Sequence, residues 1–107
     1  MIYLASPYSD TSKIVEEMRF QAVAIVASKL LRNGFMVFSP ICHCHPMSLF
    51  AKLPGNFDFW RKYDEHMIDL SDEVYVLMLD GWRESEGVTR EIAYALSLGK
   101  AITYVRE

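Results

Sequence analysis

The stretch from Val74 to Leu98 restricts this chain most. An unbroken apolar run, Val74 to Leu79, passes into a polar turn, Asp80 to Gly87, and then into apolar residues at helical spacing. A short apolar run bounded by turn residues reads as a buried strand, and apolar positions at i, i+3 and i+4 read as a helix packed on one side. Strand, turn and helix in that order form half of a parallel βαβ unit, whose crossover is right-handed. The turn, with Asp80, Trp82, Ser85 and Gly87, then lies at a strand's carboxyl end. That is the edge where open α/β sheets bind ligands.

The alternation extends through the chain. Ile2–Ala5, Phe35–Phe38, Glu73–Leu79 and Ala101–Val105 read as strands. Helical periodicity occupies Thr11–Arg32, with Ile14, Val15, Met18, Ala22, Ile25 and Val26 on one face. It returns over Asp58–Leu70, with Phe59, Tyr63, His66 or Met67, and Leu70 near one face, and over Val88–Leu98, with Ile92, Ala95 and Leu96 inward. The expected fold is a small Rossmann-like or flavodoxin-like α/β three-layer sandwich on a parallel sheet of about four strands, in the order 2-1-3-4. The switch point then falls between the first and third strands. Ser6 to Asp10, including Ser6 and Tyr8, would face Asp80 to Glu91 across one crevice. Ser39 to Asn56, which holds prolines and Cys42-His43-Cys44-His45, reads as a long functional loop.

Composition narrows the partners. With 107 residues, the chain is expected to form one domain over residues 1–107. Its net charge of −3 makes a nucleic-acid polymer a poor partner. Its apolar runs are too short to span a bilayer, so no membrane partner is expected. Met1 runs into the first strand without a basic leader, and Cys42 and Cys44 are one residue apart, a poor disulfide framework. A reduced, cytoplasmic setting is expected.

Two carboxylates draw attention. Glu91 is expected in the first turn of the last helix, where the macrodipole favours its ionised form, as a carboxylate nucleophile requires. Glu91 reads either as that nucleophile or as an ordinary first-turn glutamate; Val88 stands where a capping box would need Ser or Thr, which weakens the second reading without removing it. Asp64 reads either as part of a solvated charged face or as a partner to Glu91, if its helix leans over the crevice. Ser85 and Gly87 read either as an anion-cradling turn or as an ordinary helix cap. No G-x-G-x-x-G or P-loop motif is present, so no dinucleotide or ATP site is expected.

In an extended segment, His43 and His45 would share a face and line a polar pocket, hold a metal, or serve a structural role. Their spacing does not fit a closed zinc site, and neither metal nor organic cofactor is expected. Tyr8 and Trp82 could stack on a flat ligand at the crevice, whereas Trp60 and Phe57 read as packing.

Three segments together resemble the nucleoside 2-deoxyribosyltransferase superfamily, which includes 2′-deoxynucleoside 5′-phosphate N-hydrolases. They are Ile2-Tyr3-Leu4-Ala5-Ser6-Pro7-Tyr8-Ser9, Asp64 with Ser71-Asp72-Glu73-Val74, and Ser85-Glu86-Gly87-Val88-Thr89-Arg90-Glu91-Ile92-Ala93-Tyr94-Ala95. Phe38-Ser39-Pro40-Ile41 and Leu77-Met78-Leu79-Asp80-Gly81-Trp82 look like a small bacterial and phage family within it. The resemblance implies Glu91 as nucleophile, Asp64 in acid–base work or sugar positioning, Ser85 near a 5′-phosphate and Tyr3 near the sugar. The first loop departs from the hydrolases' glycine-rich pattern, which weakens the implied phosphate contact. The expected activity is cleavage of an N-glycosidic bond in a nucleoside or nucleoside 5′-monophosphate, by hydrolysis in preference to transfer. A nucleoside deoxyribosyltransferase and a non-catalytic nucleotide-binding or sensing module are the alternatives. The resemblance also implies a homo-oligomer, dimer or tetramer, with the chain ending just past its fourth strand.

Overall fold

A computed structural model describes residues 1–54 and 56–107, without the side chain of Phe57. The packing expected for Phe57 therefore lies outside the described residues. The elements run β1 (Ile2–Ala5), α1 (Lys13–Arg32), β2 (Val37–Phe38), α2 (Pro40–Ala51), α3 (Phe57–Asp69), β3 (Glu73–Leu77), α4 (Glu86–Ser97) and β4 (Ala101–Val105). The sheet is parallel, in the order β2-β1-β3-β4, as the alternation of the sequence predicts.

Side chains alternate across the sheet and build one core on each face. Tyr3 and Ala5 of β1 pack with Val74 and Val76 of β3 beneath α3 and α4, joined by Ile68, Val88 and Ala95. Leu4 and Leu77 point the other way, onto Val23, Val26 and Ala27 of α1. Leu4 and Leu77 are wholly buried, and truncating either to Ala should cost about 2–5 kcal/mol. No helix among the described residues is long and apolar enough to cross a membrane.

The expected loop from Ser39 to Asn56 is largely a helix. Ser39 caps it, its hydroxyl accepting from the Cys42 N–H at 3.2 Å. Pro40 occupies the first helical turn, where a missing N–H costs nothing, and Pro46 is tolerated inside. This overturns the extended geometry expected for His43 and His45. Residues two apart on a helix point about 200° apart, so the two imidazoles do not share a face.

Helix orientation also differs from expectation. Ile14, Met18 and Ile25 of α1 are exposed, as are Leu96 of α4 and Phe59, Tyr63 and Leu70 around α3. The sheet takes the neighbouring stripes instead. On α3 this turns Trp60, Asp64 and Ile68, at helical spacing, toward the protein.

Candidate active site

The carboxyl ends of β1 and β3 open onto a cavity of about 430 Å³. Ser6, Tyr8 and Ser9, in the loop after β1, form one wall. Cys44 and Ser48 of α2 and Trp60 and Asp64 of α3 form another, and the start of α4 closes the third with Ser85, Gly87 and Glu91.

Each wall is held by local chemistry. Ser85 caps α4, its hydroxyl accepting from the Val88 N–H at 3.2 Å. Asn56 caps α3 by accepting from the Phe59 N–H at 2.8 Å. The Lys100 ammonium donates to the carbonyls of Ile68 and Asp69 at the other end of α3, at 2.7 and 2.9 Å, and also to that of Ser71. A cation there also complements the helix dipole. Arg19 of α1 ties the two switch-point loops together, donating to the carbonyls of Tyr8, Ser9 and Asp80 at 3.1–3.2 Å. Gly81 makes room for it: its φ is +92°, and a Cβ there would lie 2.6 Å from the guanidinium.

Glu91 is only 7% exposed, and its carboxylate accepts the hydroxyl of wholly buried Tyr3. Burial, followed by the charge of Asp64, pushes its pKa up to about 8 against the pull of that hydrogen bond. Burial raises Asp64 to about 7. This corrects the expectation that the macrodipole holds Glu91 ionised. The helix starts at Glu86, so Glu91 falls in its second turn, beyond the dipole's main reach, and desolvation prevails. Both carboxyls thus favour the protonated form more than an exposed carboxyl does, and the charge of Asp64 opposes ionisation of Glu91.

Two buried oxygens in this wall, Ser6 Oγ and Asp64 Oδ1, have no hydrogen-bond partner among the described residues. Buried polar atoms are normally satisfied, so each leaves a hydrogen-bonding position open to water or a ligand. The thiol of Cys44 is pushed up to about 12 by burial and then by Asp64, which keeps it protonated and unreactive.

The cavity thus gathers Ser6, Tyr8, Asp64, Ser85, Gly87 and Glu91 from the sequence-based candidates, with Tyr3 directly behind Glu91. Four candidates lie elsewhere. His43 is exposed and stacks on Tyr63, rings 5.5 Å apart and nearly parallel. His45 is buried beside a second cavity, bonded to Tyr8. Asp80 is exposed and contributes its backbone carbonyl to Arg19. Trp82 turns toward β4, packing on Tyr104 with the Arg83 guanidinium over its ring. It leaves the crevice because β4 flanks β3 on the side away from β1.

Trp60, expected in the core, instead lines the cavity, and its indole N–H donates to the Pro54 carbonyl at 2.7 Å. Sequence reasoning missed Cys44, Ser48, Glu84 and Glu86 in the wall. Glu84 and Glu86 adjoin Ser85 and were in principle legible from that cap.

Among the described residues, no group of three or more His, Cys, Asp or Glu is placed to hold a metal ion. No Lys or Arg among them lines the cavity, whereas Asp64, Glu84, Glu86 and Glu91 do. The wall can therefore offer a buried carboxyl pair, hydroxyls and an aromatic face to a neutral, polar molecule.

A search of the curated proteins found no match. The family model described as "Domain of unknown function (DUF1937)" matches residues 1–107. With that match over its length, and with a parallel Rossmann-like sheet carrying the carboxyl pair at its switch point, the chain belongs to the DUF1937 family.

Proposed function

We propose that this protein cleaves the N-glycosidic bond of a nucleoside, with Glu91 as nucleophile and hydrolysis as the outcome. The observation that carries this is the coupled carboxyl pair in one cavity wall, both members raised and one receiving a buried tyrosine hydroxyl. Retaining glycosidic chemistry needs one carboxylate to attack and one carboxylic acid to protonate the leaving group. A pair of which one member is protonated and the other ionised supplies both.

The pKa values of Glu91 and Asp64 differ by about one pH unit in the empty cavity, with the proton favouring Glu91. Moving it to Asp64 is an uphill step in the empty cavity. The positive charge that develops on the sugar at the transition state favours an anion at Glu91 and offsets that cost. Glu91 then bonds C1′ while Asp64 gives its proton to the departing base. Water attacks C1′, the Glu91–sugar bond breaks, and the carboxylate is regenerated.

The residue pattern shared with the nucleoside 2-deoxyribosyltransferase superfamily belongs to this proposal and supports it. A 5′-phosphate would meet four carboxylate side chains and no cation among the described lining residues, so an unphosphorylated nucleoside is the favoured substrate over the 5′-monophosphate. No cofactor enters the scheme, and the setting is cytoplasmic. The protein works as a homo-oligomer, a reading supported by apolar side chains left exposed on α1 and α2, among them Ile14, Met18 and Phe50.

The test is a screen of the purified protein against nucleosides and their 5′-monophosphates, with and without an acceptor base, reading free base. Release from a nucleoside that disappears in Glu91→Ala supports cleavage. Binding of a nucleoside or nucleotide without release from any substrate supports a sensing module instead.

A further inference from the structure

Among the described residues, the aromatic side chains that line the main cavity are Tyr8 and Trp60. Tyr8 is committed elsewhere. Its hydroxyl lies 2.6 Å from His45 Nδ1, and His45 Nε2 lies 2.7 Å from Glu17 Oε2, an array beside the second cavity. Trp60 stands on α3, four residues before Asp64. Residues four apart share a helix face, with Cβ atoms about 5–6 Å apart, and helical side chains lean toward the N-terminus. The Asp64 side chain therefore leans over the turn that carries Trp60, and both line the same cavity.

The indole is held by its neighbours. Its N–H donates to the Pro54 carbonyl at 2.7 Å. Phe59 and Tyr63 meet it nearly at right angles, with ring centres 5.1 and 6.0 Å away. Both contacts are perpendicular, so no ring among the described residues is stacked flat on it. With its one polar atom satisfied by the backbone, Trp60 adds apolar ring to the wall. A flat aromatic molecule gains offset stacking on such a ring. An indole already fixed in place loses little side-chain entropy when that molecule binds.

We propose that Trp60 is the platform on which the nucleobase stacks, so that α3 binds the base while α4 and β1 present Glu91 and Tyr3 to the sugar. This rests on the cleavage reading above and deepens it, because it places the base in the cavity. The C1′–N bond breaks with its electron pair moving onto the base, and the base takes its proton from Asp64. The base must then lie against the wall that carries Asp64. Burial raises that carboxyl to about 7, which keeps a proton on it up to that pH, and its Oδ1 has no partner among the described residues. One turn back on the same wall, in the direction the Asp64 side chain leans, the ring is Trp60. The ligand class is a nucleoside with a planar, aromatic base.

The experiment reads the emission of Trp60 itself. The chain has two tryptophans, and Trp82 packs on Tyr104 away from the cavity. Trp82→Phe therefore leaves Trp60 as the reporter, and Glu91→Gln in the same chain prevents turnover. Adenosine, 2′-deoxyadenosine and thymidine are titrated in parallel with free ribose and 2-deoxyribose. The expected result is saturable quenching by a nucleoside and none by either sugar. In the otherwise wild-type chain, Trp60→Leu should lower kcat/KM for a cleaved nucleoside roughly 5- to 150-fold, mainly through KM, the range for losing one base–aromatic stack. Trp60→Phe should recover part of that loss. The emission reading keeps Trp60 intact, so it holds even where Trp60→Leu fails to fold. An unchanged KM in Trp60→Leu, quenching by a sugar alone, or nucleoside binding seen by calorimetry without a change in emission overturns the platform and leaves cleavage standing. Saturable quenching by a nucleoside in a protein whose wild type releases no base overturns cleavage and leaves the platform standing. Neither binding nor release with any of the three nucleosides overturns both.

Discussion

Removing the charge at Glu91 should stabilise the protein at neutral and alkaline pH while abolishing activity. The Glu91 carboxyl ionises at 4.5 when exposed and at about 8 in the fold, because burial and the charge of Asp64 oppose its charged form. At 1.36 kcal/mol per pH unit, the folded state loses roughly 4–5 kcal/mol by the time the carboxyl is fully ionised. Below pH 4.5 the carboxyl is protonated in both folded and unfolded chains, and no penalty exists. Between 4.5 and 8 the folded chain binds the extra proton, so stability falls as pH rises. Above 8 the loss is complete. In Glu91→Gln the neutral amide can still accept the Tyr3 hydroxyl and carries no such penalty. Urea denaturation at pH 4 and pH 8.5 measures the difference. The two proteins should agree within about 1 kcal/mol at pH 4, and Glu91→Gln should exceed the wild type by roughly 3–5 kcal/mol at pH 8.5. Equal stabilities at both pH values would refute the claim that the fold holds this carboxyl at a cost.

Other consequences follow from the same wall. Base release should be maximal between pH 7 and 8 and fall about tenfold per pH unit on either side, because the pair must hold one proton: below about 7 both carboxyls are protonated and above about 8 both are ionised. Ser6→Ala should leave thermal stability unchanged or slightly higher, since the hydroxyl it removes is buried and unpartnered among the described residues, but on the proposed function should raise KM for a cleaved nucleoside. Gly87→Ala should stabilise α4 by up to ~1 kcal/mol, its methyl meeting only Ser85 Oγ at 3.9 Å. The same methyl enters the cavity wall, so KM should rise while the melting temperature does not fall.

Much of the architecture is legible in the residues, because β1 and β3 are short apolar runs flanked by helical periodicity. That alternation leaves few topologies, and the order β2-β1-β3-β4 with its switch point follows from it. The helix faces are less legible. In α1 apolar residues occur nearly all round, and spacing alone does not say that Val23, Val26 and Ala27 meet the sheet while Ile14, Met18 and Ile25 face outward. Helix α2 is obscured by Pro46 and by the Cys-His alternation, although Ser39-Pro40 is a cap followed by a favoured first-turn residue. The position of Glu91 at the cavity follows from the strand–turn–helix order. Its protonation does not, because burial depends on what packs around a carboxyl in the fold, and the charge of Asp64 that adds to it comes from a distant element of the chain. The array of Tyr8, His45 and Glu17 joins three separate elements and has no local signature.

On the proposed mechanism Glu91 becomes covalently bonded to a sugar. The most direct measurement is mass spectrometry of the protein quenched after reaction with a nucleoside carrying fluorine at the sugar 2′ position, which destabilises the oxocarbenium-like transition states and slows resolution of the adduct. A mass increase of one fluorinated sugar residue, located to the peptide containing Glu91 and absent in Glu91→Gln, is the predicted result. Base release with no adduct, or an adduct on any other residue, would contradict it.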